Sequence, residues 1–87
     1  MRGYKQARTL LGRKLATADR LVAEQDWSAA HEAIVEAKAL LDGVEAAFIE
    51  DLRASGRSWT ELGGVFGGIT RAGARQRYER VKGRSPV

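Results

Sequence analysis

The chain has 87 residues, no cysteine and a formal net charge of +4, which bounds it to one small domain with neither a disulfide framework nor a thiolate metal site. No apolar run approaches a membrane span and the first twenty residues are too charged for a signal peptide, so a cytoplasmic protein without a membrane partner is expected. Strand-like alternation is absent and the only proline is Pro86, which points to an all-α fold.

Charge is partitioned along the chain: residues 1–24 carry +4, residues 25–52 carry −6 and residues 53–87 carry +6. A basic C-terminal third is the footprint of a polyanion partner, and the acidic middle is the wrong place to look for one.

The first helix is predicted over residues 4–24. Tyr4, Leu11, Leu15, Ala18 and Val22 fall on one stripe, broadened by Leu10 and Leu21, while Arg8, Arg13, Lys14 and Arg20 lie largely off it. These cations suit either phosphate contact or, as the favoured reading, a solvated face or pairing with the acidic helix that follows. Gln25-Asp26 forms the corner, with Asp26 as cap. A second helix then runs from Trp27 to about Ser55. Its apolar residues Trp27, Ala30, Ile34, Ala37, Leu41, Val44 and Phe48 alternate spacings of three and four, a seam of heptad type. Two apolar faces and a short corner predict a long antiparallel helical hairpin. The seam, represented by Trp27, Ile34, Leu41, Val44 and Phe48, exceeds what its neighbours cover at about 1.5 Å per residue. It is therefore assigned as a homodimer or partner surface. Glu32, Glu36, Asp42, Glu45, Glu50 and Asp51 decorate this helix as a solvated acidic face. His31 beside Glu32 makes no metal motif.

Residues 53–82 read as two short helices joined by a glycine turn. Gly56 suits the left-handed end of the preceding helix. Ser58 and Glu61 have capping-box spacing, and Trp59, Leu62, Val65 and Phe66 share one face. Gly67-Gly68 permits a reversal, and Thr70 caps a final helix carrying Arg71, Arg75, Arg77, Arg80 and Lys82 against the single acid Glu79. Gly73, early in that helix, costs roughly 1 kcal/mol relative to alanine. The predicted organisation is a hairpin over 1–55, a helix-turn-helix over 56–82 and a flexible tail over 83–87, within one compact unit.

Ser58-Trp59-Thr60-Glu61-Leu62-Gly63 and Ile69-Thr70-Arg71-Ala72 through Arg77-Tyr78 resemble the helix-turn-helix segment of small actinobacterial regulators. There, "G-x-S-W-x-E-I-G" leads across a turn to "V-T/S-R-x-A-x-x-R-Y/F". The likeness covers about a third of the chain. It departs from that pattern in the turn, where Gly67-Gly68 replaces a single glycine. The resemblance implies binding of double-stranded DNA by a transcriptional regulator or phage-type factor, associated with the nucleoid when bound to DNA, with residues 70–82 as the major-groove helix.

In that geometry Arg71, Ala72, Arg75 and Gln76 face base edges: arginine grips guanine O6 and N7, glutamine pairs with adenine, and alanine touches a thymine methyl. Arg57, Ser58 and Thr60 surround a helix N-terminus, and with Arg77, Arg80 and Lys82 they are the expected phosphate contacts. Neutralising five or six phosphates predicts a log–log salt slope of about −5. Ile69, Ala74 and Tyr78 are expected to face inward, with the Tyr78 hydroxyl emerging at a phosphate. The main alternative is a protein-interaction adaptor whose hairpin binds another chain. RNA binding is weaker, because an exposed basic surface with stacking aromatics is scarce. One histidine, no cysteine and no convergent acid–base set argue against an enzyme, and no cofactor, metal or small-molecule ligand is expected. The Gly63-Gly64 and Gly67-Gly68 pairs lack the Gly-Lys-Ser/Thr of a phosphate loop.

Overall fold

The computed structural model describes residues 1–86. They form four helices, α1 (Arg2–Ala23), α2 (Trp27–Ala54), α3 (Trp59–Val65) and α4 (Arg71–Arg84), and no strand occurs among the described residues.

Three of the helices begin on their own side-chain caps. Asp26 accepts the Ala29 amide at 3.3 Å, Ser58 the Glu61 amide at 3.1 Å and Thr70 the Gly73 amide at 3.1 Å, each satisfying an amide with no partner inside its helix. The capping box at Ser58 forms only this arm. The Glu61 carboxylate accepts the Ser58 hydroxyl at 3.3 Å and lies 3.8 Å from Arg57 instead of returning to the Ser58 amide. Helix α1 has no local side-chain cap. Its Tyr4 amide donates to Asp51 of α2 at 2.8 Å, so α2 caps α1 from 47 positions away.

That contact also sets direction. Tyr4 meets Phe48 edge-on with ring centroids 6.2 Å apart, and Lys14 pairs with Glu36 at 2.6 Å. The start of α1 therefore lies beside the end of α2, and the two run antiparallel. Their contact is built from small residues: Ala18 of α1 and Ala30, Ala33 and Ala37 of α2 are buried, which lets the backbones approach closely. The expected seam divides here. Its alanines pack inward, whereas Trp27, Ile34 and Leu41 stay exposed, and Val44 and Phe48 are half-buried.

The last third of α2 carries a second packing face. Ala46 and Ile49 join Leu62 of α3 and Ala74 and Val81 of α4 in a buried core flanked by Leu52, Trp59, Phe66 and Tyr78. The α3–α4 turn is held by the Gly63 carbonyl, which accepts the amides of both Gly68 and Ile69 at 3.0 Å. Gly67 and Gly68 adopt φ of 94° and 88°, values that side-chain-bearing residues rarely take. Gly63 itself is buried, and a Cβ there would collide with the Ile69 carbonyl oxygen.

Two local expectations change. The final helix continues through Gly83 and Arg84, tied down by an Arg84–Asp42 pair at 3.5 Å. Ser85 and Pro86 then lie along α1 and α2, Pro86 beside Lys14, Glu36, Ala39 and Leu40. Of the predicted tail, residue 87 lies outside the described residues. Ile69 is 40 % exposed rather than inward-facing, because the two-glycine turn lifts it beside Val65 and Phe66 at the edge of a shallow groove.

Candidate nucleic-acid interface

Helix α4 has one apolar face, Ala74, Tyr78 and Val81, and it rests on α2 through it. Cations flank that face on both sides. On one side Arg77 forms a two-pronged pair with Glu45 at 2.6 and 3.0 Å, and Arg84 reaches Asp42. On the other, Lys82 lies 3.4 Å from Glu50, and the Tyr78 hydroxyl donates to the same carboxylate at 2.6 Å. α2 thus holds α4 between two acidic edges. The hydrogen bond to Glu45 pushes the Arg77 guanidinium further above its ordinary value. The bond to Glu50, with partial burial, pushes the Tyr78 phenol up to about 12.

These pairs sort the expected DNA contacts. Arg71, Ala72, Arg75 and Gln76 are all exposed; at 100° per residue Ala72 and Gln76 point away from the core, while Arg71 and Arg75 lie on the same flank as Tyr78 and Lys82. Arg71 and Arg80 carry no ion pair among the described residues, and Arg75 has only the exposed Glu79, at 3.4 Å. Of the phosphate set, Arg80, Arg57, Ser58 and Thr60 are exposed. Arg77 and Lys82 instead pair with Glu45 and Glu50 of α2, the acids that α2 places beside the middle and end of α4. The Tyr78 hydroxyl likewise ends on Glu50 and not at an outer surface. The Ser58 hydroxyl is engaged with Glu61, so its remaining contribution is to orient the first amides of α3.

The acids of α2 are correspondingly not a plain solvated face. Glu36, Asp42, Glu45, Glu50 and Asp51 each hold a specific group of α1 or α4. His31 and Glu32 are exposed, and no group of three candidate metal ligands occurs among the described residues.

One participant escaped the sequence reading. The Arg53 guanidinium stacks over the Trp59 ring at 4.9 Å and donates to the Arg57 carbonyl at 2.8 Å. Trp59 in turn packs against Tyr78 with centroids 5.7 Å apart. Arg71, Arg75 and Tyr78 succeed one another at steps of four and three, so Arg53 stands on the same flank as the two arginines. Its signal was its position six residues before Trp59, across the helix end at Gly56, a relation that helical periodicity does not register.

No protein-family model matches the chain, and neither a curated protein nor a solved structure shows significant similarity to it.

Proposed function

We propose that the protein is a sequence-specific binder of double-stranded DNA, a transcriptional regulator or phage-type factor, in which α3 and α4 act as a helix-turn-helix. α4 enters the major groove with Arg71, Ala72, Arg75 and Gln76 at base edges. The observation that carries this reading is the division of cations on α4. Arg77, Lys82 and Arg84 pair with acids of α2, while the exposed Arg71, Arg75 and Arg80 reach none of them, Arg75 having only the exposed Glu79 of its own helix. Arg53, Arg57 and Thr60, around the start of α3, are the positions for backbone contact, with Arg80 at the far end of α4.

With Arg77 and Lys82 engaged elsewhere, three or four phosphates are neutralised and the salt slope is expected near −3. Fluorescence anisotropy on duplex DNA across a salt series tests this. Arg71→Ala/Arg75→Ala should abolish binding, and Arg80→Ala should flatten the slope by about 1. Arg77→Ala should leave the slope unchanged. A slope near −5 that falls in Arg77→Ala would show that the acidic edges release their cations to DNA. The adaptor reading draws on the exposed Trp27, Ile34 and Leu41. It would stand if the folded protein bound no DNA at low salt.

A further inference from the structure

Away from α4, a run of large apolar side chains on α1 and α2 stands exposed. Trp27 is 63 % exposed and Leu41 56 %, and Ile34, Leu15 and Val22 are exposed by 43 to 48 %. These five side chains lie on a single flank. Leu15 and Val22 follow Tyr4 by 11 and 18 positions, three and five helical turns, so they point to Tyr4's side of α1. Trp27, Ile34 and Leu41 precede Phe48 at seven-residue steps, and Tyr4 and Phe48 touch. The Lys14–Glu36 pair and the Pro86 contact occupy the opposite flank.

The arrangement of this flank is self-matching. Trp27 and Leu41 stand seven residues either side of Ile34, and Leu15 and Val22 straddle Ala18. Because α1 and α2 are antiparallel with Tyr4 level with Phe48, Ala18 and Ile34, each 14 positions further along, are also level. One two-fold axis through that level therefore superposes both pairs at once, bringing Trp27 onto Leu41 of a second copy, Leu15 onto Val22 and Ile34 onto itself. A foreign partner would require no such coincidence. The overlapped stretch is about 33 Å long and two helices, about 20 Å, wide. That is on the order of 700 Å² per copy, close to the roughly 800 Å² per partner of a stable interface.

We propose that this flank of α1 and α2 is an antiparallel two-fold interface between copies of the chain, centred on Ile34, and that it presents two α4 helices to one face of DNA about one helical turn apart. The spacing rests on the DNA-binding reading; the interface does not. Glu45, which holds Arg77 near the middle of α4, is 11 residues from Ile34, so the two α4 midpoints stand about 33 Å apart along the seam at 1.5 Å per residue. One turn of B-DNA spans about 34 Å. On α2, the residues beneath α4 (Ala46 and Ile49) lie about 90° around the helix from Trp27, Ile34 and Leu41 at 100° per residue. The two-fold axis of an antiparallel face-to-face pair lies in the interface plane, at right angles to the contact direction. Whatever projects along it projects on the same side in both copies, and α4 does.

The absence of cysteine makes the test direct. Sedimentation at tens of micromolar should give twice the 9.5 kDa of one chain. Under mild oxidant, Ile34→Cys should crosslink to itself at least tenfold faster than Val35→Cys, which is 49 % exposed but points along the axis. Inverted repeats with half-sites about 10 base pairs apart should bind at least tenfold tighter than repeats offset by a further half turn. A monomer, or equal crosslinking of the two variants, overturns the interface, and if that monomer still binds DNA the functional reading survives alone. A dimer crosslinked at Ile34 that binds no DNA upholds the interface and removes the reading behind the spacing.

Discussion

Gly63 shows how a single missing side chain positions the candidate site. It is buried, its carbonyl gathers the Gly68 and Ile69 amides, and the Ile69 carbonyl occupies the place where a Cβ would be. Gly63→Ala must therefore push α3 from the turn into α4. A loss of about 1–3 kcal/mol is expected, read as a lower midpoint in urea, together with weaker DNA binding. Asp51 acts at the same scale. Asp51→Ala leaves the Tyr4 amide without its acceptor and should cost about 1 kcal/mol, with fraying at the start of α1 in amide exchange. Tyr78 sets a pH dependence. Its phenol is held neutral by Glu50 and its folded value is raised from 10.0 to about 12. The stabilisation from this bond is thus complete below pH 10 and disappears as pH rises towards 12. Urea midpoints measured across that window should fall less steeply for Tyr78→Phe than for the native chain.

At the scale of helices, the ends were the most legible part of the sequence. Asp26, Ser58 and Thr70 mark three helix starts, and each side chain accepts the amide three residues on. Gly56 and Gly67-Gly68 mark the reversals, all with positive φ. These signals are local, and a sequence displays local chemistry directly. The allocation of cations on α4 was not legible. Arg77 meets Glu45 across 32 positions and Tyr78 meets Glu50 across 28, so which arginines are spent and which are free depends on the docking of α4 onto α2. The division of the apolar seam of α2 was hidden for a related reason. Ala30 and Ala37 are buried, Val44 and Phe48 half-buried, and Trp27, Ile34 and Leu41 exposed, a split that spacing alone cannot reveal. Arg77→Ala is expected to lower stability by about 0.5–1 kcal/mol, since the pair is partly exposed. Glu45→Gln should match it, and the double variant should cost little more than either one.

For the whole molecule, the alternation of basic, acidic and basic regions has two roles. The acidic stretch of α2 organises the fold by gripping α1 through Glu36 and Asp51 and α4 through Asp42, Glu45 and Glu50. In an elongated body of 47 × 22 × 20 Å, α4 and the apolar flank of α1 and α2 are separate surfaces, the first proposed for DNA and the second for another copy of the chain. We propose α4 as the helix that reads DNA. Anisotropy of labelled duplex DNA at low salt, comparing the native chain with Arg71→Ala/Arg75→Ala at equal helicity, tests it most directly. Binding that weakens with a salt slope near −3 and vanishes in the double variant is the predicted result. Equal affinity of the two proteins, or no binding by the folded native chain, would contradict it.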